Sequence, residues 1–302
     1  MIEFNIDKIP SQKGRIAIVT GANSGLGFET SCALARKEMK VIMACRSMDK
    51  AGKAKHDILR KVPGADLEIM PVDLSSLSNV RDFAKNFLSG YNQLDLLINN
   101  AGIMIPPYSK TEDGFESQMG ANYFGHFLLT GLLSDTITNT PDSRIVSLSS
   151  NAHKNGNINF DDLQWEKKYS AMGAYRQSKL ACLMFAYELQ RRLEKTGSKT
   201  LSVAAHPGVS ITNMIRQIPA WLIFLLYPLA SLFTHSAEKG ALATLYGALG
   251  TDVKGGDYFG PQGRSEWTGK PGKAISTPLS YNIEIAKRLW DVSEKLTGIR
   301  YA

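Results

Sequence analysis

Basic residues gather nowhere in this chain. Its 302 residues carry 35 lysines and arginines against 28 acids, a formal charge of +7, but the two signs are interspersed and no basic block with interleaved aromatics occurs. Nucleic acid is therefore not predicted as a partner, and a basic cleft for a small anionic ligand accounts for the excess. Cysteine is scarce: Cys32, Cys45 and Cys182 lie far apart, which excludes a disulfide framework and shows no metal-ligand spacing. Reduced thiols in a cytoplasmic setting are expected, and no metal. His56, His126, His206 and His235 have neither metal nor triad spacing and are assigned no chemistry. Repeats and low-complexity stretches are absent, so a single domain over 1–302 is predicted. The first ten residues have acids where a signal peptide would be basic, and no long apolar run, so export by that route is not expected.

One stretch lacks charge altogether. From Gln217 to Ala237 there is no Lys, Arg, Asp or Glu, long enough by count for a membrane span. Pro219 and Pro228 break it into two short pieces, which favours a buried or lid-like segment. Trp221, Phe224 and Tyr227 also suit peripheral contact with a lipid surface through 218–233.

What is present is an alternation. Apolar runs at 15–20, 40–45, 67–72, 94–99, 144–149 and 200–205 are separated by helical patterns at about 25–37, 49–61, 76–88, 114–133 and 175–194. Strands that are apolar throughout, with helices between them, imply a parallel sheet covered on both faces. Right-handed crossovers then give an α/β, Rossmann-type doubly wound sheet. Residues 255–260 read as a turn into a seventh and final strand, 261–278 as loop and 282–296 as a closing amphipathic helix.

Tyr175 and Lys179 stand four apart, which puts a phenol and an ammonium on one helix face. A free phenol keeps its proton to about pH 10. An ammonium about 4 Å away contributes roughly 4 kcal/mol toward a phenoxide at an effective dielectric of about 20. Such a pair can transfer protons near neutrality if the site is partly closed to water. Alone it would more often be one packed and one solvated side chain, so the rest of the chain decides.

Thr20-Gly-Ala-Asn-Ser-Gly-Leu-Gly27 follows the first strand and opens the first helix. Gly21 permits a tight turn, Gly25 and Gly27 allow backbone to approach a pyrophosphate, and the helix start, with Asn23, Ser24 and Leu26, presents amides to it. An NAD site usually places an acid at the end of the second strand. Here Cys45 and Arg46 stand there, so nothing repels a ribose 2′-phosphate and a guanidinium is placed to bind it. NADP(H) is predicted over NAD(H). Asp49 falls in the first turn of the next helix, where dipole and cap work is expected.

Together these motifs resemble the short-chain dehydrogenase/reductase family. Asp73-Leu74, Asn99-Asn-Ala-Gly102, Asn122, Ser149-Ser150, Tyr175-x-x-Ser-Lys179, Pro207-Gly208 and Thr212 run in family order over about 14–212. Ala44-Cys-Arg46, the 159–163 insertion and 289–297 are similar to its retinol dehydrogenase-like branch. The resemblance implies that Tyr175 is the general acid/base, that Lys179 holds the phenoxide charge and the nicotinamide ribose, and that Ser150 hydrogen-bonds the carbonyl oxygen. It further implies that Asn122 anchors a water leading to Lys179. Asp73, Leu74, Asn100, Ala101 and Gly102 would line the adenosine half of the cofactor, and Pro207, Gly208, Val209 and Thr212 the nicotinamide end.

The expected reaction is hydride transfer between NADP(H) and an alcohol or carbonyl, with 14–205 as cofactor-binding and catalytic core, 206–250 as substrate cover and 251–302 as closing strand, loop and helix. The apolar run favours a bulky, lipophilic, retinol-like substrate. Ser150 and Tyr175 are 25 residues apart, so 151–173 forms an excursion in which His153, Trp165 and Tyr169 are candidate substrate contacts, or a solvated loop with Trp165 tucked onto the core. A protochlorophyllide reductase-like enzyme and a catalytically silent dinucleotide-binding regulator are the alternatives. Family members often pair through the helices bearing Asn122 and Tyr175, which implies a homodimer.

Overall fold

Every predicted strand is realised because each apolar run buries side chains on both faces. The computed structural model describes residues 4–208 and 236–301. Its strands are β1 (Ile16–Thr20), β2 (Lys40–Cys45), β3 (Leu67–Pro71), β4 (Leu96–Asn99), β5 (Arg144–Leu148), β6 (Leu201–Ala205), β7 (Tyr258–Pro261) and β8 (Pro271–Lys273). They form one sheet in the order β3-β2-β1-β4-β5-β6-β7-β8, with β1 to β7 parallel. Alternate residues serve opposite faces: Ile18, Ile42 and Leu97 join one apolar cluster, Val19, Met43 and Ile98 the other.

The sheet has eight strands rather than seven. β8 pairs antiparallel with β7, Phe259 opposite Lys273 and Pro261 opposite Pro271. Its sequence, Pro-Gly-Lys, has none of the β-branched or aromatic residues that signal a strand, so 261–278 reads as loop. Backbone bonds between Gln262 and Lys270 and between Gly263 and Thr268 close the hairpin.

Helices α1 (Gly25–Arg36) and α2 (Met48–Lys61) cover one face. On the other lie α3 (Leu77–Gly90), α4 (Gly125–Leu132), the short α5 (Ser134–Thr138) and α6 (Ala171–Lys195). The helix expected at 114–133 forms over 117–132 but is not α-helical throughout. The buried Glu116 carboxylate accepts from the amides of Gln118 and Met119, capping a π-helical turn, Met119–Phe124, that runs into α4. Ser47, rather than Asp49, caps α2.

Within the expected substrate cover of 206–250, the described part is α7 (Ala237–Leu249), a core helix against α1 and β7. The final helix, α8 (Ile283–Thr297), is capped by Asn282 and packs on α6 and α4. Trp290, fully buried, stacks on Phe185 (centroids 5.7 Å apart) and meets Phe127 edge-on at 5.0 Å. No described helix is long and apolar enough to cross a membrane.

Candidate active site

The strand order reverses between β1 and β4, which opens a crevice at the carboxyl ends of the strands, the usual ligand position in such sheets. The glycine turn after β1 lies there. Gly21 and Gly25 have φ of +67° and +55°, the left-handed region that glycine alone enters cheaply. Gly27 has a packing role beside the expected one: a Cβ on it would stand 2.4 Å from the Gly21 oxygen and 2.6 Å from Asn100 Nδ2. It lets α1 pack against the turn, while the amides at the start of α1 face the crevice.

A cleft of about 280 Å³ fills this crevice. Gly21, Asn23, Ser24, Gly25, Leu26, Gly27, Arg46, Asp73, Leu74, Asn100, Ala101 and Gly102, all expected from the sequence, line it. The Arg46 side chain is 72% exposed and lies 3.8 Å from the Asp73 carboxylate, so it is free to move onto an anion. Asp73 also accepts from the Ser75 amide and hydroxyl, which fixes it. Glycine backbone, a helix N-terminus and a mobile cation suit a dinucleotide. A roomier cavity of about 370 Å³, lined by Ser134, Asn139, Arg192 and Tyr301 among others, shares no residue with the cleft.

At the inner end of the cleft the Lys179 ammonium donates to the Leu148 oxygen (3.1 Å) and lies 5.9 Å from the centre of the Tyr175 ring. A Cβ on Gly102 would come within 3.4 Å of that ammonium and 3.1 Å of Asn122 Oδ1, so three predicted residues converge. The Asn122 side chain is held at both ends: Oδ1 accepts from the Ile103 amide, and Nδ2 donates to the Ile103 oxygen and to Ser178 Oγ. Ser178 in turn donates to the Tyr175 carbonyl.

The two serines after β5 divide sharply. Ser149 is buried and donates to the Lys179 carbonyl at 2.8 Å. Ser150 is half-buried, and its Oγ accepts from the Ala152 amide. Pro207 and Gly208 lie past the end of β6, and Val209, Thr212 and 218–233 fall outside the described residues.

The three candidate substrate contacts of the excursion are committed to internal contacts. His153 is buried, with Nδ1 donating to the Ser150 carbonyl at 2.6 Å. Burial pushes its pKa down to about 4, against the help of that bond. Trp165 lies under the start of α6, where a Cβ on Gly173 would come within 2.4 Å of the indole. Tyr169 donates to the Pro106 oxygen. The bonds of Tyr169 to Pro106 and Gln118 and the Lys110–Glu166 ion pair moor 151–173 to the 105–118 segment.

Comparison with known proteins agrees with this geometry. A model of the short chain dehydrogenase family matches residues 15–222. The chain belongs to the short-chain dehydrogenase family. Retinol dehydrogenase 12 of Homo sapiens is 41% identical over 290 residues, spanning 95% of this chain and 88% of that protein. Retinol dehydrogenase 11 of Mus musculus is 42% identical over 290 residues, 95% of this chain and 87% of that protein. A crystal structure of an uncharacterized protein from Mycobacterium Paratuberculosis superposes with a TM-score of 0.83 at 40% identity, covering both chains fully. A Pseudomonas aeruginosa RhlG/NADP complex has a TM-score of 0.62 at 20% identity, over 82% of this chain and 94% of that one, a likeness of fold.

The chain is thus an oxidoreductase of the short-chain dehydrogenase family, in its retinol dehydrogenase-like branch, and the family's dinucleotide is NAD(P). Sequence reasoning missed Ala44, Ser47, Lys50, Val72, Ile103 and Ala121 in the cleft. Ser47 and Lys50 were within reach of it, since they open α2 directly after Arg46. It also missed Thr20 and His126, which bond to each other beneath the cleft.

Proposed function

We propose that this chain is an NADP(H)-dependent oxidoreductase that interconverts a bulky, lipophilic alcohol and its aldehyde or ketone. The observation that carries the proposal is the convergence of Lys179 and Asn122 on Gly102, which lines the glycine-turn cleft, beside the Tyr175 ring. A bound dinucleotide would supply or accept the hydride at its nicotinamide. Tyr175 would give its hydroxyl proton to the carbonyl oxygen in reduction and take it back in oxidation, with the Lys179 ammonium stabilising the phenoxide. Ser150 Oγ already accepts from a backbone amide, which leaves its proton for the substrate oxygen as charge develops there. Arg46 would exchange Asp73 for a 2′-phosphate.

The retinol dehydrogenases among its relatives, 40 to 42% identical, support the lipophilic alcohol. The charge-free, apolar composition of 218–233 also favours a lipophilic substrate, with Val209 and Thr212 assigned to the nicotinamide end of the cofactor. The test is a panel of lipophilic carbonyls with NADPH and NADH in parallel. Tyr175→Phe should bind NADPH within about twofold of the parent and lose at least ~100-fold in kcat, the scale of a general acid. Arg46→Ala should weaken NADPH by about 10-fold and leave NADH unchanged, as for one charge-assisted contact. A Tyr175→Phe protein as fast as the parent would rule the mechanism out.

A further inference from the structure

His126 sits in the apolar run Gly-His-Phe-Leu-Leu-Thr130, the second residue of α4, and is 4% exposed. Both ring nitrogens are engaged: Nδ1 lies 2.9 Å from the Asn122 carbonyl oxygen and Nε2 2.9 Å from Thr20 Oγ1. A carbonyl can only accept, so Nδ1 carries the proton. Burial, reinforced by the Lys179 charge, pushes the ring's pKa down to about 4, so the imidazole is neutral and Nε2 must accept. Thr20 Oγ1 already accepts from the amides of Asn100 and Ala101, each at 2.9 Å. Its single proton therefore goes to Nε2 rather than to the more distant Ile98 oxygen at 3.2 Å.

The resulting chain runs in one direction. The amides of the Asn100-Ala101 turn donate to Thr20, Thr20 to His126, and His126 to Asn122. Asn122 Nδ2 then donates to Ser178, and Ser178 to the Tyr175 carbonyl. One end is the floor of the dinucleotide cleft and the other is the turn of α6 that carries the acid/base pair. The Asn122 carbonyl also accepts from the Cys182 thiol, at 3.2 Å, on the same helix as Lys179.

We propose that His126 is a positioning residue that ties the cofactor floor to Asn122, so that the dinucleotide seat and the Tyr175 helix are held as one unit. The proposal rests on the functional reading above, but its first test does not. In protein labelled with 15N at histidine and free of cofactor, the His126 ring should appear as the neutral Nδ1–H tautomer from pH 8 to about pH 5. An Nε2–H tautomer, or a charged ring at pH 7, would overturn the proposal whatever the enzyme reduces.

Two substitutions then separate the ends. His126→Asn keeps a donor near the Nδ1 position and loses the reach to Thr20, so NADPH binding, read by fluorescence, should weaken several-fold with kcat little changed. His126→Gln keeps the reach to Thr20 and loses the short bond to Asn122, so kcat should fall about 10-fold with NADPH binding within about twofold, the scale of one lost hydrogen bond. Equal effects of both variants on both quantities, or none, would reduce His126 to packing. If the parent reduces no carbonyl at all, the functional reading falls while the tautomer and the NADPH binding of the two variants still decide the linkage.

Discussion

At the scale of single residues, the site works by dividing nearly identical groups. Ser149 and Ser150 are neighbours, yet one hydroxyl is buried against the Lys179 carbonyl and the other is half-buried and accepts from the Ala152 amide. His126 and His153 are both buried and each gives its Nδ1 proton to a backbone carbonyl. Both have pKa values lowered to about 4 from 6.5, mainly by burial. The unfolded chain protonates near 6.5 while the folded chain does not, so the stability these residues carry is complete above about pH 6.5. It declines as the pH falls toward 4, by up to about 1.4 kcal/mol per pH unit for each histidine. Urea unfolding at pH 7, 6 and 5 should show that decline, and a flat profile over this range would contradict the assignment. His126 was opaque in the sequence because an isolated histidine in an apolar run has no spacing to read; its partners are Thr20 at the end of β1 and Asn122 one helical turn before it.

At the scale of elements, what was legible was whatever the backbone itself demands. The glycine turn could be recognised because its residues occupy positions that other side chains cannot. The structure adds a second demand at Gly27, which lines the cleft and also lets α1 pack on the turn. Gly27→Ala would press a methyl into the Gly21 carbonyl and the Asn100 amide. It should cost about 1–3 kcal/mol of stability, as overpacking does, and weaken dinucleotide binding in parallel. Thermal melts with and without NADPH would check both; an unchanged Tm would place α1 further from the turn than the structure does. The π-helical stretch in the 114–133 helix was illegible for a related reason. Glu116 looks like an ordinary helical acid until its side chain is seen taking the amides of Gln118 and Met119. The π-helical turn that follows sets Asn122 beneath Gly102, and π-helical turns often mark functional positions.

At the scale of the molecule, the closing helix changes what the family resemblance implies. The helices α4 and α6, through which a homodimer was expected, carry α8: Trp290 lies on Phe127 and Phe185, Tyr123 bonds to Ser293, and Tyr301 donates to the Phe127 oxygen. Equilibrium sedimentation should therefore find no dimer through this face. Trp290→Ala should cost about 3–5 kcal/mol, the usual loss for a buried tryptophan, and expose apolar surface. A stable dimer of the parent that dissociates on substitution at Phe185 or Phe127 would show the opposite. The eighth strand has a consequence of a different kind. Were the sheet to stop at β7, the backbone amides and carbonyls along Tyr258–Pro261 would be left open, and an open strand edge is a template on which other chains can polymerise. The three residues of β8 occupy that edge and hand the boundary to a strand too short to extend, beginning with a proline that cannot donate and ending with a lysine. The hairpin thus serves as a stopper, a safeguard against fibrous self-association along the β7 edge of the sheet.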